Sequence, residues 1–366
     1  MKHTIESLGR QFAENTLGGG GPVAAVIHGQ ITALEKKLAS NQMPYFNLEL
    51  SDGAGVMKVK VWNNSPAFPQ CTTAETKMKP DGSGARKPLF VALDGMFKNG
   101  EYGFESNDFR IRALNDDEIE TLINGTPEQR VKVDSAWATL MDLIGSMEDA
   151  TYQELCRRVA GALGKQFCRA AGARGRHHAR RGGLVEHTSQ MMLSCHALCR
   201  VYPHLNRSLI LAGAFLHDLG KIIENQYEER GFAMPFSARA ELYGHIAIGV
   251  EYVRAFGREL VENDAAALLK IDCLCHLVLS HHGQVEYGSP VEPKLPEAAV
   301  LHYVDQIDAK LEMMRAAYEA AGYKKPGEVV ERQWPMSINL VVTPKEWAGE
   351  QEADGEMANT GVQADG

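Results

Sequence analysis

Between Tyr45 and Trp62 the side chains alternate: Phe46, Leu48 and Leu50 with Asn47 and Glu49, then Val59 and Val61 with Lys58 and Lys60. A period of two puts each set on its own face of a strand, and the turn residues Asp52-Gly53 lie between the runs. The pattern predicts a hairpin with one wet face. Further strand patterns in VAAVIHGQITALEKKLA, PLFVALDGMFKNG and EYGFESNDFRIRAL bring the total to about five short strands, enough for a small β-barrel of OB type. The polar, Gly-, Pro- and Lys-containing stretch TTAETKMKPDGSGARKP reads as a long mobile loop between strands.

After Asn115 the period lengthens to that of a helix, first in DDEIETLING, SAWATLMDLIGSM and TYQELCRRVAGALGKQF. Helices are predicted at about 184–202, 206–225, 237–256, 261–281 and 295–321, separated by signals such as Tyr202-Pro203, Gly231 and Gly283. The fold class is multidomain α and β. An N-terminal extension (1–20) precedes the OB-type barrel (21–114), a helical linker (115–149), an all-α domain (150–321) and a short excursion (322–343) containing SINLVV. From Pro344 the chain carries Glu346, Glu350, Glu352, Asp354, Glu356 and Asp365 against Lys345, so 344–366 is expected to be a disordered acidic tail.

Composition is that of an ordinary globular protein, with 366 residues and a net charge of −9 to which the tail contributes strongly. No apolar stretch approaches the ~20 residues that span a bilayer, and MKHTIESLGRQF lacks the apolar core of a signal peptide, so a cytoplasmic protein without membrane contact is expected. Seven cysteines, an odd number mostly within helical patterns, suit reduced thiols. Against the negative total, Arg157, Arg158, Lys165, Arg169, Arg174, Arg176, Arg180 and Arg181 form a basic run, which suits a phosphate substrate.

The chemistry is concentrated in the helical half. His217-Asp218 stands in the apolar run LAGAFLHDLGK, where an unpartnered imidazole and carboxylate would cost several kcal/mol to bury. An isolated pair would be weak evidence. Here His187, His245, His281 and Asp305 each also occupy a position that ought to be hydrophobic, and a metal centre between the helices explains them together. One ion is assigned to His187, His217, Asp218 and Asp305, and a second to Asp218 as a bridge with His245 and His281. His282 and Asp308 are left open between binding an ion and supporting the residues that do. Asp218 and Lys221, three apart on a helix, are the catalytic candidates, Lys221 to neutralise a phosphoryl oxygen. Donors of nitrogen and carboxylate oxygen without thiolate suit Mn, Fe, Co, Zn or, less readily, Mg, with Mn or Fe preferred and Mn foremost. Two such ions can activate one water for attack on phosphorus. His276 and His302 read as packing or surface residues, and His177-His178 as capping residues or substrate contacts.

The motifs HHARRGGLVEHT, LAGAFLHDLGKI, YGHIAIG, LSHHGQVEYGSPVEP and AVLHYVDQIDAK together resemble the HD superfamily of metal-dependent phosphohydrolases, most closely the YhaM-type 3'-to-5' exoribonucleases, which join an OB-fold to an HD domain. The resemblance runs from about residue 15 to about 320. It implies that His187, His217, Asp218 and Asp305 carry the HD signature, and that nucleotides are removed from the 3' end of single-stranded RNA as 5'-monophosphates, with Mn stimulation. Single-stranded DNA is a further candidate substrate, and homo-oligomerisation is compatible with the type. Arg180 and Arg181 stand where similar sequences carry an aromatic residue, and the basic loop from Lys77 to Lys87 is longer than in them. On the barrel, Phe46 and Trp62 are candidates for base stacking and Lys58 and Lys60 for backbone contact, with His178, Arg180 and Arg181 as nucleic-acid contacts beside the metal site. Two other functions stay open: a nucleotide phosphohydrolase or cyclic-nucleotide phosphodiesterase, and a non-catalytic OB-fold RNA-binding protein with a structural metal.

Overall fold

A computed structural model describes residues 2–16, 21–53, 55–78, 88–100, 103–175, 177–262, 264–320, 326–332 and 336–343. The acidic tail, most of the expected basic loop (79–87) and Arg176 lie outside them. The N-terminal part runs β1 (Lys2–His3), α1 (Ile5–Thr16), β2 (Val23–Leu38), β3 (Pro44–Ser51), β4 (Val56–Trp62), α2 (Phe68–Lys77), β5 (Leu89–Gly100) and β6 (Gly103–Ala113). Strands β4-β3-β2-β5-β6 form one antiparallel sheet in that order, with β1 parallel to β2. The sheet curls until β4 and β6 touch, but no hydrogen-bonded ladder joins them among the described residues, so the expected barrel is not closed. The long loop needs correction at its start: residues 72–77 belong to α2, which begins beside Pro69 and buries Cys71 and Ala74 against the sheet.

Register decides which side chains fill the sheet's concave core. Leu50 pairs with Met57, Leu48 with Val59 and Phe46 with Val61, and all six are buried inside. Phe46 is fully buried, which corrects its expected role: a ring that fills the core has no face to offer a base. Trp62, Lys60 and Lys58 have the opposite parity and point outward, with Trp62 against Tyr45 at 5.0 Å and Lys58 paired to Glu49 at 3.2 Å. The Asp52 carboxylate accepts from the Ile5 amide at 2.7 Å and so ties the start of α1 to the β3–β4 turn.

The helical part comprises α3 (Asp116–Asn124), α4 (Pro127–Gly145), α5 (Ala150–Phe167), α6 (Gly183–Val201), α7 (Arg207–Leu216), α8 (Lys221–Glu224), α9 (Ala238–Gly257), α10 (Ala265–Ser280) and α11 (Pro296–Ala320). A small antiparallel pair follows, β7 (Val329–Val330) with β8 (Leu340–Val341). α7, almost wholly buried, lies in the middle of a core that includes Phe167, Leu184, Met191, Phe215, Leu274 and Leu301. The single helix expected over 206–225 is instead two, because the chain tightens into three-residue hydrogen bonds at Leu219 to Leu216 and Lys221 to Asp218. His217 and Asp218 sit in that break. Among the described residues, no helix is long and apolar enough to cross a membrane.

The two parts meet where the loop before α9 docks on β2. The Gln30 side-chain oxygen accepts from the amides of Phe232 and Ala233, and Phe232 meets Phe90 edge-on at 6.5 Å in a small core with Ala92 and Leu114. Arg181 secures the loop from the helical side, donating to the carbonyls of Glu228, Glu229 and Gly231, each at 3.0 Å. Because Phe232 is buried, Phe232→Ala should remove about 3 kcal/mol or more of stability. In chemical denaturation the variant is expected to lose the sheet and helical parts in separate transitions, where the parent loses them together.

Candidate metal centre

The break between α7 and α8 is the middle of the site, and the chain is shaped to bring other elements close to it. A Cβ on Gly220 would overlap the backbone carbonyl of His245, so only glycine lets α9 approach this turn. Gly244, at φ 68° inside α9, then turns the chain immediately before His245. His187 comes from the first turns of α6, His281 and His282 from the C-terminal end of α10, and Asp305 and Asp308 from α11.

These side chains converge on Asp218. Its Oδ2 lies 3.3 Å from His217 Nε2, 3.6 Å from His187 Nε2 and 2.6 Å from Lys221 Nζ, while its Oδ1 lies 3.5 Å from His245 Nε2 and 3.7 Å from His281 Nε2. Asp305 Oδ1 stands 3.4 Å from His187 Nε2. The carboxylate therefore has one oxygen in each of two imidazole groups, His187-His217-Asp305 and His245-His281-His282, within each of which the donor atoms are close enough to share an ion.

In each of four imidazoles the other nitrogen is already engaged. Nδ1 of His217 bonds to the Ala214 carbonyl at 2.9 Å, that of His281 to the Val278 carbonyl at 2.7 Å, that of His187 to Asp308 at 2.6 Å and that of His245 to Glu224 at 2.8 Å. All four partners are acceptors, so each ring keeps its proton on Nδ1 and turns the lone pair of Nε2 toward Asp218. Asp218 Oδ1, His245 Nε2, His281 Nε2 and His282 Nδ1 are buried without any hydrogen-bond partner. Buried polar atoms left unpaired together at one point are costly, and a divalent cation satisfies all of them. The donor set fits such an ion.

Electrostatics agree. Burial pushes the Asp218 carboxyl up, but Lys221 and His217 beside it hold it well below the usual carboxylate range. Burial and the neighbouring His217 drive His281 well below its ordinary value, and burial with His245 lowers His282, so both present neutral rings to a metal. Burial pulls His217 down, but Asp218 and Asp305 outweigh it and raise the ring above its ordinary value. Partial burial pushes Asp308 up, yet the bonds from His178 and His187 hold its carboxyl well below the usual carboxylate range.

Several expected contacts have other employment. His178 is fully buried with Nε2 on Asp308 at 3.0 Å, so it orients the residue that orients His187, and nucleic acid has no access to it. Arg180 pairs with Glu186 and, at 2.9 Å, with Glu312, and Arg181 is taken up by the three carbonyls of the docking loop; both correct their expected roles as substrate contacts. Asp308 supports His187 through its Nδ1, while His282 faces the centre alongside His281. His302 is buried and bonds to the His281 carbonyl at 2.9 Å, a packing role as expected. The cysteines are unpaired and belong to none of the ligand groups among the described residues.

One residue escaped the sequence reading, Glu224, which only the fold brings to His245. His177, whose Nδ1 is buried and unpartnered, has its ring 5.9 Å from that of His187; burial, then Lys221 and His187, push it down to about 4. Glu224→Gln should keep the fold and weaken metal binding in the His245-His281-His282 group about 10- to 100-fold, read by metal titration. Residues 184–310, from α6 into α11, match the HD domain family, so the segment that gathers these ligands is similar to HD domains, a family typically of metal-dependent hydrolases.

Proposed function

We propose that this protein is a metal-dependent exonuclease that removes nucleotides from the 3' end of single-stranded RNA, with single-stranded DNA as a secondary substrate, and releases 5'-monophosphates. The observation that carries this reading is the convergence of buried, partnerless Nε2 and carboxylate atoms on Asp218, in a domain docked on a curled six-stranded sheet. The order β4-β3-β2-β5-β6, with α2 between the third and fourth of these strands along the chain, supports an OB-type reading, and such sheets commonly bind single strands.

One ion would be held by His187, His217, Asp218 and Asp305, and a second by Asp218, His245 and His281, with His282 within reach. Donors of nitrogen and oxygen without thiolate admit Mn, Fe, Co or Zn, and Mn is the ion proposed here. When bound, such ions supply Lewis acidity toward phosphoryl oxygens and lower the pKa of a water. The protein's own residues do the rest. Asp308 and Glu224 hold the rings of His187 and His245 in place, so little reorganisation is needed. Lys221, 2.6 Å from Asp218 and nearly buried, supplies a fixed positive charge for the negative charge that builds on phosphate oxygens. On the sheet, Lys58 and Lys60 beside Trp62 offer an outward strip for the strand's backbone.

A 5'-labelled single-stranded oligonucleotide incubated with Mn, Mg, Co and Zn in turn tests this. A ladder shortening from the 3' end is expected, strongest with Mn. Consumption of free nucleotides beside an intact oligonucleotide would replace the exonuclease with a nucleotide phosphohydrolase, and RNA binding without product under every metal would leave a non-catalytic binder.

A further inference from the structure

Phe236 is 74 % exposed, which among the described large apolar side chains only Leu242, at 79 %, exceeds. An aromatic ring so exposed is ordinarily mobile. This one is backed by the Arg174 guanidinium at 4.1 Å from its centroid, and Arg174 is itself fixed by the carbonyls of Glu224 at 2.6 Å, Met234 at 2.8 Å and Pro235 at 3.2 Å. The same Glu224 holds His245 through its carboxylate. The ring thus stands on a rigid base one residue removed from the metal centre, with its second face open. Tyr243, 65 % exposed, lies two residues before His245, across the Gly244 turn.

On the sheet, by contrast, Phe46 is buried, Trp62 is half-buried against Tyr45, and the large apolar side chains that are exposed (Leu38, Met43, Val56 and Met96) include no aromatic among the described residues. A pre-ordered aromatic face loses little entropy on binding a flat ligand, and stacking on a cation-backed ring tolerates any base.

We infer that Phe236, backed by Arg174, is a nucleobase platform that seats the base of the nucleotide whose phosphate lies at the metal centre. This rests on the proposed hydrolysis of a nucleotide phosphodiester and adds that the helical domain recognises the base without regard to its identity. It makes Phe236 a substrate-binding residue, with no part in the chemistry of the phosphate.

The test compares adenosine 5'-monophosphate with ribose 5-phosphate, the same sugar phosphate without a base, binding to the Mn-loaded full chain by calorimetry. Phe236→Ala and Phe236→Leu change an exposed side chain, and the second keeps the apolar bulk while removing the ring face. Both variants should bind adenosine 5'-monophosphate roughly tenfold more weakly and ribose 5-phosphate as the parent does. Equal loss for both ligands, no loss for either, or no binding of adenosine 5'-monophosphate by the parent would overturn the platform. Because binding is read without turnover, a base-dependent loss with an oligonucleotide left uncut would refute the exonuclease and leave the platform standing.

Discussion

Replacing Asp218 with Asn should abolish hydrolysis, lowering the rate by at least about 10³-fold, and should take metal binding with it. The substitution preserves size, so the fold has no steric reason to change. What it removes is the charge shared by both halves of the centre: Oδ2 faces His187 and His217, Oδ1 faces His245 and His281. Ligation of a metal is worth several kcal/mol to the transition state, each ~1.4 kcal/mol being tenfold in rate. A second signature separates this from simple damage to catalysis. An ion that binds only the folded chain raises stability by about 2.7 kcal/mol at a hundred times its dissociation constant. Addition of Mn should therefore raise the melting temperature of the parent and leave that of Asp218→Asn where it was.

Lys221→Met is expected to cost about 10²- to 10³-fold in rate while metal binding persists. Methionine keeps the length and apolar stem of the nearly buried lysine but removes its ammonium group, which lies 2.6 Å from Asp218 Oδ2. That oxygen also faces His187 and His217, so removing the ammonium leaves it freer for an ion. A variant that retains its ions, keeps its affinity for substrate and turns over slowly would identify Lys221 as a group that acts on developing charge. Loss of metal together with activity would instead reduce it to a support for Asp218.

Much of this site was legible in the sequence because burial makes polar residues conspicuous. His187, His217, Asp218, His245, His281 and Asp305 stood out as polar side chains in apolar helical patterns, and the structure brings all of them around one carboxylate. Phe46 shares its parity with Leu48 and Leu50, which already placed it inside the sheet, whereas Trp62 shares the outward parity of Lys58 and Lys60. Other features had no local signal. Arg181 is engaged by backbone carbonyls, which every residue possesses, and its role depends on a loop some fifty residues away. The helix break at His217 arises from a few tightened hydrogen bonds within an apolar run that reads as continuous, and Glu224 reaches His245 only because Gly220 lets α9 come close.

Elemental analysis of the full chain, after reconstitution with Mn and removal of free ion, decides whether the cluster around Asp218 binds two metal ions. Two ions per chain in the parent, and a clear loss in Asp218→Asn at unchanged fold, is the expected result. A parent that retains no stoichiometric metal, or an Asp218→Asn variant that retains as much as the parent, would contradict it.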